Sequence, residues 1–191
     1  MTVTAQDEFR SLVKDHLGPR LRELGWTGSA AAWVRPHLTH WVLLGWQKGR
    51  YSTAASVDFT AHLAVMSKDA WDAENIPAGR RPRTPASGTL GWGVGWQASI
   101  GMLVPGTAGD RSWYVRPGDE LAAIAGEVMR DVVTYGLPAV ERELAAAAER
   151  PPVCWANVGG RNWFEACGRP AHVEHRSADR RRLRCPEHAS T

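Results

Sequence analysis

The strongest constraint on the fold is a strict alternation of side chains over two segments. In the first segment the apolar residues recur at every second position: Val57, Phe59, Ala61, Leu63 and Val65. Residues 92–102 alternate in the same way. A period of two is typical of an antiparallel strand with one buried and one solvated face. The chain is therefore expected to contain an antiparallel sheet.

Three further segments complete the predicted sheet. Residues 32–35, 40–47 and 113–115 are rich in β-branched and aromatic residues and end near glycine or proline. Helical segments precede and follow these strands. The fold class is therefore predicted as α+β, an antiparallel sheet of about four to five strands with the N- and C-terminal helices packed on one face.

Proline and glycine mark the ends of the predicted helices. The first helix begins at a capping box formed by Thr4 and Asp7, and Gly18-Pro19 is expected to break or kink it. A second helix is expected to begin at Pro117 and to break at residues 135–137. Pro138 then begins a third helix, because proline is favoured at the first helical position.

The chain is expected to divide into a main domain and a short tail. Residues 67–91 are rich in Pro, Gly, Arg and Ala and are predicted to form a long exposed loop, which Trp71 anchors at its beginning. Pro151-Pro152 is predicted to act as a stiff linker. Residues 1–150 then form the α+β domain, and residues 151–191 form a Cys/His tail.

The order of elements in the main domain resembles that of a known bacterial family. A helix ending in LRELGW leads to WVRP, then to the strands HWVLLGWQKGRYS and VDFTAHLAVMS, and later to WYVRPGDELAAIAGEVMRDVVTYGLPAVE. This order resembles the bacterial domain-of-unknown-function family 4304 over about residues 7–148. The resemblance implies an α+β fold in a soluble bacterial protein. It transfers no activity and no catalytic residue.

The tail carries the clearest chemical signal. The three cysteines of the chain all lie in the last 41 residues, and an odd number of cysteines without an export signal argues against a disulfide framework. Cys154, Cys167, Cys185 and His188 supply the Cys3His set of a structural zinc site. The stretch resembles small zinc-ribbon or zinc-knuckle tails in which CGRPA precedes CPEH.

Two alternatives to this zinc site stay open. Cys154 and Cys167 are 13 positions apart, whereas the first two ligands of such sites are usually separated by about 2–4 residues. His172 or His175 could therefore replace Cys154 as the fourth ligand. The cysteines could also be free thiols on a loose tail.

Charge separates the two units and suggests a second kind of partner. The formal net charge of the chain is +3, and all of it lies in residues 151–191, which hold seven arginines and four acidic residues. Four of these arginines form a run that could bind phosphates: Arg180, Arg181, Arg182 and Arg184. Nucleic acid is thus a possible partner, although a net charge of +3 is a small electrostatic footprint.

The main domain contains no motif that indicates catalysis. Gln47, Asp58, Thr60 and His62 are predicted to share the polar face of the sheet, where tryptophan side chains could line a groove. Asp58 and His62 are four residues apart on one strand, about 13 Å, which is too far for direct contact. The leading hypothesis is a non-catalytic module that binds another protein, and an enzyme using His62, Asp58 and Gln47 is the alternative.

No apolar run approaches the roughly 20 residues that a membrane span needs. The first ten residues are polar and lack the features of a signal or transit peptide. The protein is therefore expected in the cytoplasm, with no membrane partner.

Overall fold

The computed structural model describes residues 3–30, 32–73, 85, 95–107 and 111–149, and the backbone of residues 173–177 and 180–184. The helices are α1 (Ala5–Ser11), α2 (Gly18–Glu23), α3 (Lys68–Ala73), α4 (Ile100–Leu103), α5 (Leu121–Asp131) and α6 (Leu137–Glu149), and two π-helical turns are π1 (Leu12–Leu17) and π2 (Val132–Gly136). The strands are β1 (Thr27–Ser29), β2 (Ala32–Arg35), β3 (His40–Lys48), β4 (Val57–Ser67), β5 (Gly95–Ser99), β6 (Trp113–Val115), β7 (Val173–Ser177) and β8 (Arg180–Arg184).

Strands β1 to β5 pair in chain order, each antiparallel to its neighbour. β6 pairs with the beginning of β4, with Val57 opposite Val115, whereas β5 pairs with the end of β4, with His62 opposite Ser99. The two strands therefore lie along the same edge of the sheet. This architecture confirms the predicted α+β fold and its antiparallel sheet.

The main core lies between the sheet and the N- and C-terminal helices. The alternating apolar residues of β4 all belong to it, together with β3 residues Val42, Leu44 and Trp46. The helices contribute Leu12, Leu17 and Leu21 from the N-terminal segment and Val128, Val132 and Val140 from the C-terminal segment. Both helical segments pack on one face of the sheet, as the sequence predicts.

The chain stays helical through Pro19 and Pro138, contrary to the breaks expected at Gly18-Pro19 and at residues 135–137. Helical residues continue from Ala5 to Glu23 and from Leu121 to Glu149, and a π turn lies just before each proline. The backbone N–H of Gly18 donates to the Val13 carbonyl, a five-residue spacing. A proline ring clashes with the carbonyl four residues earlier, and the wider π turn leaves room for it.

Other predicted boundaries are partly right. The Thr4–Asp7 capping box at the start of α1 is confirmed. The helix expected to begin at Pro117 begins at Leu121, with Glu120 as its N-cap. The strand expected over residues 92–102 ends at Ser99, and α4 follows it.

A short helix covers part of the other face of the sheet. α3 lies in the segment predicted as a loop, and its Trp71 is only 5% exposed. Trp71 packs in a second apolar cluster with Leu43, Ala64 and Met66. The predicted anchoring role of Trp71 is thus confirmed, although the chain at this point is helical.

Within the described residues, no helix is both long and apolar enough to cross a membrane.

Candidate functional site

The open face is the side of the sheet opposite the N- and C-terminal helices, beyond the cluster around Trp71. Asp58, Thr60 and His62 lie on it because the intervening residues of β4 point into the main core. Gln47 of β3 pairs with Thr60 and shares the same face. The structure therefore confirms that the four polar residues singled out in the sequence lie on one surface.

His62 stands on a row of strand positions whose other residues are small. Gly45 of β3 and Ser99 of β5 pair with His62 on its two sides, and Ala32 of β2 pairs with Gly45. Directly opposite residues in such a ladder are about 5 Å apart. The side chains of these neighbouring positions are therefore too short to cover the imidazole.

Burial favours the neutral form of the His62 imidazole. The side chain is half-buried, and this burial lowers its pKa below the ordinary value of 6.5, because the charged form loses hydration. Within the described part of the chain His62 makes no hydrogen bond. A neutral imidazole carries one donor and one acceptor, so His62 offers both to a bound group.

The polar neighbours of His62 differ in whether their side chains are hydrogen-bonded within the protein or exposed. The Thr60 hydroxyl donates to the carbonyl of Arg111 at 2.8 Å, which ties β4 to the segment returning to the sheet edge. Gln47 is exposed, and so is Gln97 of β5, which pairs with Ala64 on the same face. The two amides flank the row of His62 and are accessible to a ligand.

Asp58 is held away from His62. Its Oδ1 accepts a hydrogen bond from the Ser52 hydroxyl at 2.9 Å. The carboxylate also occupies the space that a side chain at position 49 would fill, since a Cβ built on Gly49 would lie 1.7 Å from Oδ2. Asp58 therefore orders the β3–β4 connection and does not orient the imidazole.

An ion pair between a half-buried arginine and a buried carboxylate holds the edge of the sheet next to this face. Arg111, just before β6, donates from Nε to Asp131 Oδ2 at 2.9 Å, and a second guanidinium nitrogen lies 2.8 Å from the same oxygen. Asp131 is 3% exposed and belongs to α5. The pair thus connects the residue just before β6 to α5.

The open face carries little charge. The strand residues that pair with Asp58, Thr60 and His62 are Gly45, Gln47, Ser99 and Tyr114, and none of them is lysine or arginine. Tyr114 of β6 pairs with Asp58 and is exposed. The face thus presents amides, hydroxyls, a neutral imidazole and a phenol.

The described residues do not form the groove of tryptophans that the sequence allowed beside these polar residues. Of the seven tryptophans whose side chains the structure describes, five are buried: Trp26, Trp33, Trp46, Trp71 and Trp113. All but Trp71 belong to the main core on the helical side of the sheet. The large number of indoles in the main domain therefore serves mainly packing, and the open face is polar.

Two further histidines lie close to each other at the start of β3. The ring centroids of His37, in the β2–β3 turn, and His40, the first residue of β3, are 5.4 Å apart. No group of three or more His, Cys, Asp or Glu side chains suited to a metal occurs in the described residues.

The predicted zinc ligands Cys154, Cys167, Cys185 and His188 lie outside the described residues, as does the alternative ligand His172. The other alternative, His175, lies in β7, where only the backbone is described. The described backbone of the tail forms an antiparallel hairpin, in which Val173 of β7 pairs with Arg184 of β8.

Sequence reasoning did not include Gly45, Ser99 or Tyr114 in the site. Their strands were predicted, so the face of each residue could be inferred from the alternation. Their positions opposite His62 and Asp58 depend on the register between strands. Register is set by turns and by packing across the whole sheet, and single-strand patterns do not contain it.

Comparison with known families gives one match. A family model described as "Domain of unknown function (DUF4304)" matches residues 17–142. No curated protein and no solved structure matches the chain.

Proposed function

The chain belongs to the family described as Domain of unknown function (DUF4304), and we propose that it is a non-catalytic binding module that contacts another protein through its open sheet face. The observation that carries this proposal is the state of His62. It is half-buried, neutral and without a hydrogen bond in the described part of the chain, and its row neighbours are small. Polar groups that are partly buried and unpaired gain most from a partner that pairs them.

The chemistry of the face favours a protein over a nucleic acid at this surface. Nucleic acids are bound largely through lysine and arginine contacts with phosphates, and the described strand residues of the open face include neither. Amides, hydroxyls and an exposed tyrosine are instead typical of protein interfaces. The partner is therefore expected to present hydrogen-bonding groups over a polar surface.

Catalysis by Asp58 and His62 is supported less well. A general base of this kind usually needs a carboxylate that orients its imidazole, and the Asp58 carboxylate accepts its hydrogen bond from Ser52. If the alternative holds, a substrate screen should find a turnover that His62→Ala abolishes.

Affinity capture followed by calorimetry tests the proposed binding. The full chain is used to isolate a partner, and the dissociation constant of the purified pair is measured. His62→Ala is expected to weaken binding at least tenfold, because it removes the unpaired donor and acceptor. His16→Ala on π1 is the matched control and should leave binding unchanged. Equal affinity for all three chains would overturn the assignment of the open face.

We further propose that the tail contains a structural zinc ion bound by Cys154, Cys167, Cys185 and His188. Two of these residues precede β7 in the sequence and two follow β8. The pairing of Val173 with Arg184 brings the two ends of the hairpin together, which supports ligands arriving from both sides. Four protein ligands leave no open position for catalysis.

Elemental analysis of the purified full chain tests this site. One zinc per chain is expected, and Cys185→Ser should lose it. The candidate fourth ligands are distinguished by measuring His172→Ala and Cys154→Ser side by side. Only the substitution of the true ligand will lower the zinc content. A chain without metal would leave the tail as an arginine-rich arm.

Nucleic-acid binding by the tail is a second candidate function. It is supported by the four arginines at positions 180–182 and 184, which fall in β8. Changing Arg180, Arg181 and Arg182 to serine should abolish a salt-sensitive mobility shift of DNA or RNA. An unchanged shift would exclude the run as the binding element.

A further inference from the structure

The β2–β3 turn is held by a histidine that acts as a hydrogen-bond acceptor. His37 Nδ1 accepts from the backbone N–H of His40 at 3.2 Å and from that of Thr39 at 3.4 Å. An imidazole nitrogen accepts only when it carries no proton. Both turn contacts therefore require the Nδ1 atom of His37 to be deprotonated.

A lysine holds the same turn from the other side. Lys68 is the first residue of α3, and its ammonium donates to the carbonyls of His37 at 2.7 Å and Leu38 at 3.2 Å. It also lies 5.1 Å from the centre of the Trp41 ring. The turn is thus the attachment point for the beginning of α3.

α3 in turn covers apolar surface on the open side of the sheet. Its Ala70 and Trp71 are buried against Leu43, Ala64 and Met66. Loss of the Lys68 contacts would loosen the end of α3 nearest the turn. The apolar cluster beneath it would then become more accessible.

We propose that the β2–β3 turn is an acid-sensitive latch, in which protonation of His37 releases the turn and loosens α3 over the apolar cluster. Protonation removes the acceptor of the Thr39 and His40 N–H groups. It also places a positive charge next to the ammonium that binds the carbonyl of the same residue. Both effects act in the same direction and do not depend on the proposed binding function.

The charged groups around the turn support the proposal that a proton on His37 is unfavourable to the closed turn. Burial is the main cause that lowers the pKa of His40, and the charges of His37 and Lys68 lower it further, while Asp69 of α3 acts in the opposite sense. Charge on His37 and charge on His40 thus disfavour each other.

Nuclear magnetic resonance on the isotopically labelled full chain tests the latch. The ring of His37 and the amides of Thr39 and His40 are followed from pH 8 to pH 5, together with the exchange protection of the Trp71 indole N–H. We expect the two amides to shift with the midpoint of the His37 ring. The protection of Trp71, corrected for intrinsic exchange, should fall at least tenfold, while that of Trp33 in the main core stays constant.

Two variants separate the latch from general acid instability. His37→Asn keeps an acceptor that does not titrate, because an asparagine oxygen can accept the same turn bonds, so the pH response of Trp71 should disappear. Lys68→Gln keeps a neutral donor and should reduce the response while the His37 ring still titrates. A Trp71 response that persists in His37→Asn, or a titrating His37 ring with unchanged amides, would overturn the proposal.

Discussion

The burial of Asp131 makes its ion pair with Arg111 important for the free energy of unfolding. Asp131 is almost fully buried, and its oxygens are paired with Arg111 and, at 3.5 Å, with Arg130. Arg111→Ala leaves a buried carboxylate with only the weaker partner, so we expect the free energy of unfolding to fall by about 2–4 kcal/mol. Urea denaturation at pH 7.5 measures this change.

Glu141→Ala is the matched comparison for this pair. Glu141 contacts Arg35 at 2.6 Å, but its side chain is 59% exposed. Exposed ion pairs contribute about 0–1 kcal/mol, so the loss should be no larger than this. Equal losses in the two variants would show that burial does not set the strength of these pairs.

Individual residues also show where sequence reasoning stops. The face of His62 follows from the period of β4 alone, and the sequence therefore identifies it as a candidate. Its half-buried state depends on the rest of the fold, and its place between Gly45 and Ser99 depends on register. The acceptor role of His37 depends on the exact turn geometry, which the residues 36–40 do not encode in a recognisable motif.

At the scale of elements, the two helical segments contain glycines in contrasting surroundings. A Cβ on Gly18 would lie 3.0 Å from the Val13 carbonyl oxygen and 3.3 Å from the Trp33 ring, whereas a Cβ on Gly126 would meet nothing within 4 Å. Gly126→Ala should therefore stabilise the chain by about 0.5–1 kcal/mol. Gly18→Ala should destabilise it by about 1–2 kcal/mol, because the π turn or Trp33 must move.

Thermal and urea unfolding of the two alanine variants checks this contrast. Stabilisation by both substitutions would mean that α2 can move away from β2 at little cost. The close approach of α2 to Trp33 would then have no structural importance.

The same elements explain the main error in the predicted helices. Proline is a reliable marker of altered hydrogen bonding, and both prolines do mark such points. The chain resolves the conflict by widening one turn, because the apolar residues on both sides still pack on the same face of the sheet. Local propensity predicts the irregularity, while tertiary packing decides that the helix continues.

Across the whole molecule, two half-buried histidines link stability to pH. Burial lowers the pKa of both His40 and His62 below 6.5, so the folded chain binds fewer protons than the unfolded chain as the pH falls. The free energy of unfolding should therefore decrease from about pH 7 downward and level off below the lowered pKa values. Urea denaturation between pH 8 and pH 5 measures this decrease.

His62→Gln should make the decrease smaller, because glutamine does not titrate. His16→Gln serves as its control and should retain the slope of the unaltered chain. A stability that stays constant across this range would contradict the neutral state assigned to His62.

The division into a main domain and a tail has its own consequence for stability. Among the described side chains, the residues of both apolar clusters lie between Ala5 and Leu144. A chain ending at Glu149 keeps all of these residues. We therefore expect it to unfold cooperatively, with a midpoint within about 2 °C of that of the full chain. Removal of metal by EDTA should leave the unfolding midpoint of both chains unchanged. In the full chain, EDTA should alter only the spectroscopic signals of the tail tryptophans Trp155 and Trp163. A shortened chain that unfolds without cooperativity would mean that residues 150–191 complete the core, and that the two units predicted from Pro151-Pro152 fold as one.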